Sequence, residues 1–410
     1  MKIISKTPFI SVVSALFLIN LLFKGIFLYR FPNSISTEEI KNIHRVYSSF
    51  SMNPYFFRCI SLAASIILVL LTVNYLFKKT KNIPLCIFIG IVLTTSPWIF
   101  IMSRAFNFYI LMTICVLTIF IVFKKYFYRF TLIALILIFF ILKVNLNFTI
   151  AQIIHPNIDL FFKTIDFKTL FFAGDITSSY LRIPKTGFFL FVDLIALIFG
   201  TYSLFSDKRF KSMQEFVISF FGVGVFYFFI TPDSVILLYR GLLIFYALSI
   251  VIGIGYYALF TFLIRKNTLL CCLYALIFLI NIFYYQELFY SHFDKKNSSE
   301  WGYAEERISK VVDLNGPKVK KIIISPDSGN IIPYLPLFAP HNHDIELVKL
   351  PGGFSEFKIA TCLHEDTICV FKEHELAFVG IEKEDVKNRI YYFNEIPAYY
   401  VISKANLKGL

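Results

Sequence analysis

"YRGLLIFYALSIVIGIGYYALFTFLIRK" (239–266) contains 24 consecutive residues, 241–264, without a charged side chain, opened by Arg240 and closed by Arg265 and Lys266. At about 1.5 Å of rise per residue such a helix is roughly 36 Å long, enough to cross about 30 Å of hydrocarbon. Apolar residues occupy every face, so the stretch reads as a membrane span. Comparable windows lie near 8–29, 57–77, 83–102, 105–123, 130–147, 187–205, 213–231 and 268–288, making nine expected spans. The expected fold is therefore a polytopic α-helical membrane protein.

Composition agrees: 57% of residues are hydrophobic, 19% aromatic and only 16% charged, against roughly 25% charged in an ordinary soluble domain. The 50 Phe and 24 Tyr suit helices that meet lipid and headgroups. The net charge of +13 is gathered in short clusters between apolar runs, namely "KKTK" (78–81), "KKYFYR" (124–129), "DKRFK" (207–211) and "RK" (265–266). That is a positive-inside pattern, not a nucleic-acid surface, and a cytoplasmic N-terminus places all four clusters on one side. The opening run "MKIISKTPFISVVSALFLINLLFKGIFLYR" (1–30) is too long for a signal-peptide core and reads as an uncleaved first helix. A bacterial plasma (inner) membrane is the expected location.

After residue 288 the chain changes character. Charges become frequent, and strand-like runs "KKIIIS" (320–325), "DTICVF" (366–371) and "RIYYF" (389–393) alternate with turn residues. Two parts follow: a transmembrane body, 1–288, and a small outer α/β domain, 289–410. Five of the seven cysteines lie in or beside spans, whereas Cys362 and Cys369 face the outer side, where a hairpin disulfide across "HED" is plausible. The histidines of "HNHD" (341–344) with His364 and His374 are better read as surface-loop residues than as metal ligands. No P-loop, dinucleotide fingerprint, HExxH or GxSxG motif is present, and no cofactor or metal is expected.

Charges at helix ends carry the functional reading. Glu38 and Glu39, Arg104, Asp175, Arg182 and Lys185 in the long loop 148–186, and Tyr239 with Arg240 all fall on the same expected face. Taken singly, each has an ordinary explanation as a solvated surface group, a helix-terminal charge or a headgroup anchor. Together, arginines that hold a phosphate and a carboxylate that takes a proton are what group transfer from a lipid phosphate requires. Lys24 and Lys143, near span ends, are expected to snorkel to the interface. Asp193, about two turns into its span, is expected to face the interior and pair with a cation.

The order of these features resembles the GT-C superfamily of polytopic glycosyltransferases, in particular bacterial relatives of protein O-mannosyltransferases and of the aminoarabinose transferase of lipid A. "SISTEEIKNIH" (34–44) stands where those proteins carry an acidic pair after the first span. "NPYFFRCISLAASIILVLLTVNYLFKKTKN" (53–82) is similar to the following loop and helix, and "LTTSPWIFIMSRAFNFYILM" (93–112) to a Ser-Pro-Trp and Ser-Arg turn. "LLYRGLLIFYALSIVIGIG" (237–255) and "HFDKKNSSEWGYAEERISKVV" (292–312) resemble a later helix start and the junction to an outer domain. Glu38 stands where Asp is common, and Asn107 where many relatives carry a charge.

The resemblance implies transfer of a sugar, with inversion, from a polyprenyl-phosphate donor to a lipid, protein or glycan acceptor. It implies Glu38 or Glu39 as base, Arg104 and Arg240 on the donor phosphate, and Arg182 and Lys185 closing over it. Tyr239 and Asp175 are further candidates. The alternatives are a lipid-linked glycan ligase or polymerase, a transporter, and an inactive membrane scaffold.

Overall fold

A computed structural model describes residues 6–26, 28, 35–36, 39–40, 43, 55–123, 133, 158–175, 181–231, 235–315, 321–338, 346–349, 362, 364, 366–377 and 380–404. The chain divides into two compact units. Unit 1 comprises residues 1–28 and 58–290, and unit 2 comprises 29–57 and 291–410, so the first loop clusters with the C-terminal part.

Unit 1 is helical. Its elements are α1 (Lys6–Gly25), α2 (Phe56–Thr80), α3 (Ile83–Thr95), α4 (Pro97–Arg104), α5 (Tyr109–Val122), α6 (Ile158–Ile165), α7 (Asp193–Ser206), α8 (Lys211–Ile230), α9 (Leu242–Lys266) and α10 (Thr268–Leu288). Among the described residues four helices are long and apolar enough to cross a membrane, or five if the bent pair α3–α4 is one span. Shorter apolar helices cover Phe9–Gly25, Tyr109–Val122 and Asp193–Ser206. The expected span at 130–147 lies, apart from Ile133, outside the described residues, as does Lys143.

Polar caps start these helices where the apolar runs begin. Asn82 accepts from the Leu85 amide at 3.1 Å to open α3, and Asn267 accepts from Leu269 at 2.9 Å to open α10. The α3–α4 pair bends by 55° at Ser96. Thr94, Thr95 and Ser96 each turn a hydroxyl back onto the carbonyl four residues earlier, and Pro97 has no amide to continue the ladder. "SPWIFIMSR", expected as a turn, is thus an eight-residue helix behind a break, with all eight of its residues buried.

The core of unit 1 is α9. Its Gly255 faces Ala196 of α7 so closely that an added Cβ would stand 1.7 Å from the Ala196 carbonyl oxygen, and a Cβ on Gly200 would stand 2.0 Å from that of Val251. Small residues give the two backbones this approach. Hydroxyl bonds tie α9 to its other neighbours, Thr72 Oγ1 to Tyr246 at 2.7 Å and Trp98 Nε1 to Ser249 at 3.0 Å.

Unit 2 is built on a five-stranded sheet of β1 (Lys321–Ile324), β2 (Glu346–Lys349), β3 (Thr367–Phe371), β4 (Asn388–Tyr391) and β5 (Pro397–Ile402), in the order β2-β1-β3-β5-β4. β1 pairs in parallel with β2 and β3, while β5 is antiparallel to β3 and β4. Both faces are covered, which is why the strands read as unbroken apolar runs. Ile322, Ile324, Ile368, Val370, Tyr399 and Val401 pack with Ala304, Ile308, Val311 and Val312 of α11 (Tyr303–Leu314). Their alternates Ile323, Cys369, Phe371 and Tyr400 pack with Cys362, Leu376 and Val386.

Cys362 and Cys369 form a disulfide of 2.00 Å. It is not a hairpin bridge, because the sheet neighbours of β3 are β1 and β5. Glu305 on α11 is buried, with Oε1 accepting from Tyr399 at 2.6 Å and no partner for Oε2. Desolvation raises its pKa above the ordinary glutamate value, opposed by the Tyr399 bond. The folded form therefore holds the proton more tightly than the unfolded chain. The resulting stabilisation is full below the unfolded pKa and is lost as pH rises through the raised one. Glu305→Gln keeps the acceptor for Tyr399 and is expected to raise the thermal midpoint at neutral pH and flatten its decline above acid pH. A parallel pH profile in wild type and variant would contradict this.

Candidate functional site

Residues 174–175 and 181–188 bring several of the expected site residues together in unit 1. The chain leaves α6 through a π-helical turn, Thr169–Ala173, ended by Gly174 at φ +64°, a left-handed conformation that favours glycine. It returns along 181–188, where a Cβ on Gly187 would fall 2.2 Å from the Leu170 carbonyl oxygen. That contact, with Phe189 N donating to Leu170 O at 2.8 Å and Trp98 N to Phe188 O at 3.2 Å, closes the segment against α4. Between them lies a small half-open recess, lined chiefly by Pro97, Trp98, Ile101, Arg182, Thr186 and Phe188.

Among the described residues, Arg182 is the one charged residue in that lining. Beside Gly174, buried Asp175 accepts from the Leu238 amide at 3.2 Å and so anchors the single turn Leu237–Arg240. In that turn Tyr239 stacks on Tyr109 with centroids 4.1 Å apart. Arg240 is buried, donates to the Phe228 carbonyl at 3.1 Å and lies 4.4 Å from the centroid of the Phe228 ring. Asp175, Arg182, Tyr239 and Arg240 thus share one neighbourhood of unit 1.

Arg104 and Lys185 take different positions. Arg104, at the C-terminus of α4, is buried and donates to the Ile26 carbonyl at 2.5 Å and to Tyr290 Oη at 2.7 Å, caged by the rings of Phe100, Phe289 and Tyr290. These contacts clamp the ends of α1, α4 and α10. Lys185 is exposed, with φ +59°, and does not line the pocket.

No family model, curated protein or solved structure matches this chain.

In unit 2, Glu39 N donates to Ser36 Oγ at 3.1 Å and Ser36 N to Glu39 Oε2 at 3.4 Å, a reciprocal capping box. The buried Glu39 carboxylate thus has a structural use, and Glu38 lies outside the described residues.

Two charges in the shorter apolar helices depart from expectation. Lys24 is fully buried, with Nζ 3.5 Å from the Leu93 carbonyl at the end of α3, where the helix dipole favours a cation. Among the described residues Asp193 pairs with no cation; it accepts from Tyr256 Oη at 2.7 Å and from the Leu190 amide at 2.9 Å. Among the described residues no group of three or more His, Cys, Asp or Glu side chains gathers as a metal site, and "HNHD" lies outside them.

Trp98 and Thr186 line the pocket without having been expected there, and nothing in the sequence marks Thr186. The signal for Trp98 was its place after Pro97 within an apolar window, where a helix must break. Chemically, a guanidinium in a largely apolar, half-open pocket suits an anionic headgroup, which it can grip bidentately.

Proposed function

We propose that this chain is a membrane glycosyltransferase that moves a sugar from a polyprenyl-phosphate donor to an acceptor hydroxyl, with inversion. The observation that carries the reading is Arg182, among the described residues the one charged side chain lining the pocket, with Asp175 next to the lining Gly174 and bonded to the Leu238 amide of the Leu237–Arg240 turn. Arg182 holds the donor phosphate, and Arg240 adds positive charge to the same neighbourhood. Arg104 supports the arrangement by holding helix ends.

On the GT-C resemblance alone we put forward Glu38 of the first loop as base, with Glu39 as the alternative. The base takes the acceptor proton as the hydroxyl oxygen bonds to the anomeric carbon. The carbon–oxygen bond to the phosphate breaks, its electron pair stays on the departing polyprenyl phosphate, and the arginines stabilise that charge. One carboxylate suffices, since phosphate leaves without protonation. The N-terminus is cytoplasmic in this reading, the transfer site faces outward at the plasma membrane, and the acceptor is a lipid, protein or glycan.

The test is transfer of radiolabelled sugar from a panel of polyprenyl-phosphate sugars in membranes holding wild type, Glu38→Gln, Glu39→Gln or Arg182→Ala at equal protein levels. Arg182→Ala is expected to lower turnover by about 10²-fold or more, the scale seen when a preorganised charge-stabilising group is removed, and Glu38→Gln to abolish it. Equal transfer by all four proteins would overturn the site, and no transfer from any donor would overturn the activity.

One observation favours a second reading, a transporter. The 55° break between α3 and α4, with Lys24 at the end of the first half-helix, is the kind of discontinuity transport sites use. Uptake of an anionic solute into vesicles, lost in Lys24→Met, would support it.

A further inference from the structure

A line of exposed apolar side chains runs along unit 1 from α6 to α7. α6 buries Thr164 and sets Phe161 against Phe228 and Phe229, at 5.4 and 5.2 Å, while Ile158 and Phe162 are 56% and 61% exposed. The next exposed rings are Phe167 and Phe172, at 55% and 49%, although their neighbours Leu170 and Phe171 are buried. Phe172 lies 5.3 Å from Phe191. Phe191 in turn starts the exposed stripe Ile195, Ile198, Tyr202 and Phe205, whose spacing of three and four residues is one face of α7. The opposite face, Ala196, Gly200 and Leu204, is the buried one.

The same segment carries a wet side. Asp159 and Lys163 of α6 form an exposed ion pair at 2.6 Å, and Asp166, Lys168 and Lys185 are exposed. An amphipathic helix with Phe and Ile on one face and ion pairs on the other lies in a membrane interface. We propose that residues 158–175, continued by Phe191, form such an interfacial element, and that bilayer lipid covers Ile158, Phe162, Phe167 and Phe172 at the boundary between headgroups and acyl chains.

Continuity identifies the occupant. Phe172 meets Phe191, the first residue of a stripe that faces outward from a helical unit with four to five helices able to span a bilayer. Leaving these phenylalanines in water would forgo the gain of burying them in lipid. Lys168 and Lys185 add attraction for anionic headgroups.

The pocket's depth follows from this placement. Leu170 O receives Phe189 N, and Gly187 lies against Leu170, so the wall carrying Arg182 is fixed to the interfacial element. The pocket then opens at headgroup level, away from the bilayer centre, whatever ligand it takes. The inference stands or falls independently of sugar transfer.

Depth-resolved quenching tests it on the full-length chain in phosphatidylcholine and phosphatidylglycerol vesicles. Phe162→Trp, Phe167→Trp and Phe172→Trp are read separately, so loss of one variant to misfolding leaves the others. The native Trp98 and Trp301 are buried, and their emission is removed by subtracting the parent signal. Lipids brominated near the top of the acyl chain are expected to quench the new tryptophans about twofold or more strongly than lipids brominated near its end. Stronger quenching by the deep bromines would overturn the interfacial placement. No quenching by either lipid would show that water, another part of the chain or a second copy occupies the surface, and would overturn lipid as its occupant.

Discussion

Gly255→Val abolishes a sharp thermal transition, or lowers stability by on the order of 3 kcal/mol, in protein purified in detergent or nanodiscs. The reason is backbone against backbone. A Cβ at position 255 would stand 1.7 Å from the Ala196 carbonyl oxygen and 2.8 Å from the Gly200 amide nitrogen, and neither group can rotate aside as the end of a flexible side chain would. In a membrane the partner helix gains little from hydrophobic burial, so association depends on close packing. Even Gly255→Ala should be clearly destabilising. Gly222→Ala is the control: it also sits in an apolar helix, α8, yet nothing lies within 4 Å of its added Cβ. Alanine there is expected to be neutral or to stabilise by up to about 1 kcal/mol through helix propensity. Equal effects at 222 and 255 would show that the α7–α9 contact is not as close as described.

Much of the helical body was legible because hydropathy reports directly on length and lipid contact. The windows at 57–77, 213–231, 239–264 and 268–288 correspond to Phe56–Thr80, Lys211–Ile230, Leu242–Lys266 and Thr268–Leu288. Where the sequence misled, hydrogen bonding was the cause. The window 83–102 ran through Ser96-Pro97 because a mean over apolar residues does not register a missing amide or three hydroxyls turned back on their own helix. The window 187–205 began six residues before α7, since Gly187 to Val192 form the pocket wall and the turn before Asp193. In unit 2, strands at 321–324, 367–371 and 388–391 were visible in their β-branched and aromatic runs. β5, "PAYYVI", carries the same signal, whereas β2, "ELVK", has only two apolar residues between charges and no run to read.

The candidate site was legible as a set of residue types and not as a geometry. Asp175 and the Tyr239–Arg240 turn stand together because the Asp175 carboxylate accepts a backbone amide, a bond that leaves no pattern in sequence. Conversely, the resemblance put Arg104 on the donor phosphate and Lys185 in a segment closing over it. Three aromatic rings and a carbonyl hold the first, and the second is exposed, differences decided by packing. Glu39 shows the same limit. "SISTEE" contains both an acidic pair and an S-x-x-E capping box, and only the structure shows the box formed.

Glu306 organises unit 2, and its replacement is the second large effect to expect. The carboxylate is buried, accepts from Tyr55 Oη at 2.8 Å through each oxygen and from the Ile35 amide at 3.4 Å, and pairs with Lys310 Nζ at 2.5 Å. Residues 35 and 55 belong to the first loop, whereas 306 and 310 lie on α11, so one side chain joins parts of the unit some 250 residues apart in sequence (|i−j| = 251 for the Tyr55 bond). The neighbouring contact of Tyr334 Oη with the Ile35 carbonyl, 2.9 Å, holds the same strand of chain by its other polar group. Glu306→Ala leaves the Ile35 amide and the Tyr55 hydroxyl without this acceptor. It is expected to cost about 2–3 kcal/mol, mostly from those two groups, because Lys310 is half exposed and its ion pair is screened by water. Hydrogen exchange on the full chain should show the loss locally, as faster exchange at Ile35, Ile40 and the first turn of α11, with the α7–α9 core unchanged. Tyr55→Phe should give a smaller loss, and the double variant should show a coupling of about 1–2 kcal/mol, since both substitutions remove the same bond. Additive losses would mean that Tyr55 and Glu306 act separately. Unchanged exchange at Ile35 in Glu306→Ala would mean that the apolar cluster of Ile35, Ile40 and Tyr334 holds the loop without the carboxylate.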